Sequence, residues 1–134
     1  MDGFIAAWTP RVLSVLRIVT GLLFLEHGTS KLLHFPPPPQ EMSGDLPPLI
    51  MVAGIMELVG GALVAAGLFT RIVAFLLSGE MAAAYFMAHA PSNFFPLLNH
   101  GEGAILYCFI FLYLAFAGGG EWSLDRAVRP NAKI

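Results

Sequence analysis

An all-α integral membrane bundle of four spans is the fold class this sequence predicts, and three observations predict it. The first is composition: of 134 residues, 57% are hydrophobic and only 12% charged, with a mean hydropathy of +0.73. A soluble domain carries about 25% charged residues. The second is run length. Four apolar stretches of about 18–24 residues are separated by Pro- and Gly-rich breaks, close to the ~20 helical residues that cross a hydrocarbon core ~30 Å thick. The third is the pattern inside the runs, where isolated charges sit among small residues in helical register. A net charge of −2 gives no basic footprint for nucleic acid.

The first ten residues carry Phe4, Ile5 and Trp8, suited to the membrane interface. Span one is expected over residues 11–34. Arg17 interrupts its apolar run and no small-x-small cleavage site follows, so the segment reads as a retained span rather than a signal peptide. Pro36 to Pro39 end it, since successive prolines cannot continue a helix. Residues 36–48, with Glu41 and Asp45, form the longest polar loop. Span two is expected over 49–67 and span three over 71–88, joined so tightly that they must be antiparallel neighbours. Pro91 to Pro96 make the next loop, span four is expected over 97–117, and Gly118 to Gly120 end it. Four spans place both termini on one side, which collects Arg11, Arg71, Arg126, Arg129 and Lys133 against Lys31 alone on the other. The positive-inside rule then puts both termini in the cytoplasm.

The stretch from Gly54 to Arg71 organises the rest. Successive helical residues turn by about 100°, so Gly54, Gly61, Val64 and Ala65 surround the direction in which Glu57 points. Small residues let another helix approach closely, so Glu57 is expected to face the bundle and to need a partner or a proton. Arg17, Glu26, Glu80 and Glu102 are the other charges within spans, and each costs about 2.5–3.5 kcal/mol if charged at mid-membrane. Depth favours an ion pair of Arg17 with Glu57 or Glu80, and the same three residues can equally be a purely structural set. On span one Arg17, Thr20, Gly21, Phe24, His27, Gly28, Lys31 and His34 form one stripe, with Glu26 almost opposite. On span three the helical phase sets His89 on the far side from Glu80; on span four His100, Tyr107 and Phe111 share a face that Glu102 does not. By depth, His27, Lys31, His34, His89, His100 and Glu102 fall in the outer half or at its mouth and imply a polar chamber opening to the outside. Ligand or proton-relay candidates are therefore Arg17, His27, Lys31, Glu57, Glu80, His100 and Glu102. Against this, His89 and His100 read as wetted interfacial residues, and Glu102 as a favourable charge at a helix start.

No Glu-x-x-His pair of the kind that builds bundle di-metal sites occurs, so no metal is expected. The lone Cys108 has no disulfide partner and reads as a small apolar side chain. No catalytic motif is legible.

Arg17-x-x-x-Gly21, Gly28-x-x-Lys31, Gly54-x-x-Glu57-x-x-Gly60-Gly61, Gly67-x-x-Thr70-Arg71 and Trp122-Ser123-Leu124-Asp125 together resemble the DoxX family. The resemblance covers nearly the whole chain in order. It implies a four-helix bacterial inner-membrane protein, with Arg17, Gly28, Lys31, Glu57 and Arg71 on family-like positions. It further implies kinship with membrane subunits of a thiosulfate:quinone oxidoreductase and with proteins of membrane redox or thiol-stress complexes. Three functions stay open: an accessory or anchor subunit of a redox complex with a quinone as its ligand, a non-catalytic scaffold, and a small transporter or ion-binding protein. Besides the lipid bilayer, expected partners are membrane or extracytoplasmic proteins, or a second copy.

Overall fold

The computed structural model describes residues 1–39 and 44–131; Glu41 and Lys133 lie outside them. The described chain is helical throughout, with α1 (Asp2–Leu33), α2 (Pro48–Ala66), α3 (Thr70–Ala84) and a π-helical turn (Tyr85–His89) that continues α3. Then come the short α4 (Pro96–Asn99), α5 (Glu102–Ala117) and the short α6 (Leu124–Val128). α1 packs chiefly on α2, and α3 on α5, with α2 joining the two pairs. Three helices are long and apolar enough to cross a membrane: α1, α2, and α3 with its π turn. At 16 residues α5 is shorter, about 24 Å at ~1.5 Å per residue. Exposed Leu22, Val59, Phe75, Leu76 and Phe109 give the bundle the apolar outside that lipid requires.

Backbone proximity makes the α1/α2 seam. Gly21 and Gly28 on α1 face Gly54, Gly61 and Ala65 on α2, and each glycine pair is spaced by two helical turns. A Cβ on Gly21 would come within 2.5 Å of the Ala65 nitrogen, and one on Gly61 within 2.6 Å of the Leu25 nitrogen. Without a hydrophobic drive between helices in lipid, such close packing is what holds them. Phe24, Val64, Leu77, Phe111 and Leu114 fill the centre, with Phe24 edge-on to Phe111 at 4.8 Å.

The helices differ from the sequence expectation in three places. α1 begins at Asp2 and takes Pro10 into its interior, so residues 2–10 are part of the first helix rather than a separate segment before it. Pro10 is also where the C-terminal segment attaches, since its carbonyl accepts from the Glu121 amide at 3.2 Å. The fourth span does not run unbroken from Leu97. His100 turns left-handed (φ 58°), the Asn99 side-chain oxygen accepts from the Gly101 amide at 2.8 Å, and only Gly fits beside Tyr85 there. Third, α3 ends in a π turn, closed by the Ala90 amide on the Tyr85 carbonyl at 2.9 Å.

The tight α2–α3 connection is held from the far end of the chain. Both Asp125 carboxylate oxygens cap α3, accepting from the Phe69 amide at 2.8 Å and the Thr70 amide at 2.9 Å. Asp125→Ala removes both bonds and is expected to cost about 0.5–2 kcal/mol. Thermal unfolding in detergent should show a lower midpoint, with Asp125→Asn falling between the two.

Candidate functional site

The charged residues separate into two groups at opposite ends of the bundle. The first centres on Arg17, fully buried on α1. Its Nε donates to the Gly119 carbonyl at 2.7 Å and its Nη1 to the Val64 and Ala65 carbonyls at 2.7 and 2.5 Å. Nη2 donates to the Trp122 carbonyl at 2.5 Å. Val64 and Ala65 lie in the last turn of α2, where carbonyls lack helical partners and the dipole end is negative. Arg17 therefore pairs with neither Glu57 nor Glu80; its guanidinium is taken up by backbone. Ser14 joins it, accepting from the Trp122 amide at 3.0 Å. Nearby, Arg11 pairs with Glu121 at 3.0 Å, and Arg71 donates to the Ala115 and Phe116 carbonyls at the end of α5. Arg17, Thr70, Arg71 and the Trp122–Asp125 segment thus form a clamp that ties the C-terminal residues to three helices.

The second group lines a cavity of about 800 Å³ at the other end. Five of the seven candidates meet there: His27, Lys31, Glu57, Glu80 and His100. Arg17 is in the clamp, and Glu102 is exposed in the first turn of α5, outside the cavity lining. Glu26 is exposed too, as its phase opposite Arg17 predicts. The remaining wall is apolar and aromatic, including Phe24, Met56, Met81, Ala84 and Tyr107. Ligand pockets for small molecules typically span about 300–1,000 Å³ with apolar walls and a few polar groups.

Lys31 takes the role anticipated for Arg17. Its Nζ lies 2.5 Å from Glu57 Oε1, with the Glu57 side chain 3% exposed and that of Lys31 31% exposed. Lys31 sits in the last turn of α1, and its four-carbon stem carries the ammonium down to mid-helix Glu57. Among the described residues, four buried side-chain oxygens have no hydrogen-bond partner: Glu57 Oε2, Thr70 Oγ1 and both carboxylate oxygens of Glu80. Three of the four belong to residues lining the cavity. Native structures satisfy nearly all such groups, so three in one cavity mark a place for a ligand or a proton.

The histidines are oriented by backbone. His27 Nδ1 donates to the Leu23 carbonyl at 2.8 Å and His89 Nδ1 to the Asn99 carbonyl at 3.0 Å. In the neutral ring this leaves Nε2 as the acceptor on each. His27 also stands edge-on to Tyr107, with ring centroids 5.7 Å apart. His89 lines the same cavity as Glu80, against its expected place on the far side. The π turn between them advances each residue by a smaller angle than an α turn, which brings His89 round. Among the described residues no three of His, Cys, Asp and Glu converge to hold a metal ion.

The two ends together hold the polar positions of one recognisable family, and comparison with known proteins agrees. The family model described as DoxX matches residues 12–90, more than half of the chain. The chain belongs to the DoxX family. A Haemophilus influenzae protein described as uncharacterized is 46% identical over 122 residues, covering 88% of this chain and 91% of that relative. A Bacillus subtilis protein named "Putative oxidoreductase CatD" is 31% identical over 128 residues, 89% of this chain and 88% of the relative. An uncharacterized membrane protein of Mycobacterium tuberculosis is 30% identical over 141 residues, 92% of this chain and 84% of the relative. No solved structure matches this DoxX chain.

Proposed function

We propose that this DoxX protein is a multi-pass inner-membrane subunit of a quinone-linked redox complex, whose chamber holds the ring of a lipid-soluble quinone. The observation that carries this reading is the cavity itself: about 800 Å³, walled largely by apolar and aromatic side chains, with Lys31, Glu57, Glu80 and three histidines, His27, His89 and His100, among its polar groups. The name of the Bacillus subtilis relative, "Putative oxidoreductase CatD", supports the same class. In this reading α5 is the fourth span, both termini lie in the cytoplasm, and Arg11, Arg71, Arg126 and Arg129 mark that side.

The residues fit such a ring. Lys31 has three N–H donors, of which Glu57 Oε1 engages one, so two remain for a ring oxygen. Glu80 can hold or take up a proton beside the ring. Phe24 and Tyr107, 5.4 Å apart, offer aromatic faces for it to pack on. A bound quinone supplies two-electron, two-proton redox chemistry, with a partner oxidoreductase as electron source or sink. The chain's own part is to bind, orient and exchange protons.

Filling the chamber tests this. Gly103 lines it, and a Cβ there meets nothing within 4 Å. Gly103→Leu should fold at least as well, because leucine is a better helix former than glycine by up to about 1 kcal/mol. Nanodiscs holding the protein would be equilibrated with mixed isoprenoid quinones, re-purified, extracted and quantified. The expected result is about one quinone per chain above empty discs for the unchanged protein, and a loss of most of it in Gly103→Leu. Equal quinone content in empty and loaded discs would overturn the reading.

A further inference from the structure

We infer that the chamber prefers its ring ligand in the reduced, hydroxyl-bearing form, with Glu80 accepting a hydrogen bond from a ring hydroxyl. This rests on the quinone-type reading above and deepens it. The argument is a count of donors and acceptors. Among the described residues, the buried oxygens without partners that belong to the cavity wall are Glu57 Oε2 and the two of Glu80. With Glu80 ionised, all three are acceptors and none is a donor. With Glu80 protonated, one donor faces two acceptors. In both protonation states the orphaned set lacks donors. The neutral His27 and His89 rings leave acceptors as well, since both Nδ1–H groups are spent on backbone carbonyls.

A quinone ring brings two carbonyl acceptors and cannot repair this deficit, whereas a hydroquinone ring brings two O–H donors. The wall does hold donors on Lys31, the Tyr107 hydroxyl and the His100 ring, but Tyr107 is half-buried, His100 is exposed and the Lys31 side chain is 31% exposed, so water can satisfy them when no ligand is bound. The Glu80 oxygens and Glu57 Oε2 expose almost no surface, so a ring hydroxyl meets Glu80 as that side chain turns toward the chamber, and bulk water satisfies this set far less than it does the exposed donors. Leaving a buried acceptor unmade is penalised far more than leaving an exposed donor to solvent, so the ligand that relieves the buried deficit binds tighter.

The test compares three probes by titration on the protein in nanodiscs, under anaerobic conditions: a short-chain benzoquinone, its hydroquinone, and the dimethyl ether of that hydroquinone. The ether keeps the ring and loses the donors. The expected result is hydroquinone bound at least about tenfold tighter than either of the others. Glu80→Gln brings amide donors of its own and should erase most of that ratio. If this variant fails to fold, the three-probe ranking on the unchanged protein decides alone. Quinone bound as tightly as hydroquinone would overturn the inference and leave the ring chamber standing. Absence of saturable binding for all three would overturn both.

Discussion

Arg17→Met is expected to abolish accumulation of folded protein in the membrane. The substitution keeps an apolar stem of similar reach but removes all four guanidinium hydrogen bonds, leaving Val64 with the Gly67 amide, Gly119 with the Ser14 hydroxyl, and the Ala65 and Trp122 carbonyls without their Arg17 donors. Hydrogen bonds from a charged donor contribute about 1.5–3 kcal/mol each, and these four are not additive, so a total loss of about 4 kcal/mol or more is a conservative figure. Whole domains are stable by only about 5–15 kcal/mol. Arg17→Lys should recover little, because an ammonium has three donors and cannot reproduce the planar fork that spans three separate backbone segments. The measurement is membrane yield together with monodispersity in mild detergent. Normal yield of Arg17→Met with an unchanged melting midpoint would show that the clamp is dispensable. Ser14→Ala, which removes the acceptor for the Trp122 amide and a hydroxyl donor to the Pro10 and Gly119 carbonyls but no charge, should be milder, about 1 kcal/mol.

That same arginine shows where sequence reasoning reached and where it stopped. Its inward direction was legible, because Ser14, Arg17, Thr20, Gly21, Phe24 and Gly28 are all buried on one stripe of α1 at helical spacing. Ser14 belongs to that stripe and was overlooked, although its spacing of three from Arg17 was the available signal. The partners of Arg17 were not legible, since they are carbonyls that every residue carries and no side-chain pattern announces. A search limited to side chains of opposite charge pointed to Glu57 and Glu80 instead. The Lys31–Glu57 pair escaped for the opposite reason: Lys31 packs level with Gly54, most of a turn from Glu57, and the flexible stem closes the gap. The gathering of His27, Lys31 and His100 at one end of the bundle was legible from depth and phase. Depth put His89 in the chamber, but phase turned it away from Glu80, because uniform helical phase cannot foresee a π turn. Glu102 was misplaced because the break at His100 and Gly101 starts α5 afresh.

Lys31→Met is expected to damage the protein more than Glu57→Gln, although both break the same ion pair. The asymmetry follows from burial. Glu57 is 2% exposed, in the middle of α2, and Lys31 is its one ion-pair partner among the described residues. Removing Lys31 leaves that carboxylate without counter-charge in a low-dielectric bundle, a change that costs about 3–5 kcal/mol where it has been measured in buried pairs. Removing the charge of Glu57 leaves an ammonium whose side chain is 31% exposed and can be solvated, so a cost of about 1 kcal/mol is expected. The double change Lys31→Met with Glu57→Gln removes both charges and should recover most of the stability lost in Lys31→Met alone. Thermal melts of the four proteins in one detergent complete the cycle, and the coupling should exceed about 1.5 kcal/mol. Two single variants of equal cost, with no recovery in the double, would mean that the pair contributes packing rather than charge compensation. Ring binding separates stability from function in the same set: the double variant, folded but without the Lys31 donors or the Glu57 carboxylate, should still lose ligand affinity by about tenfold or more.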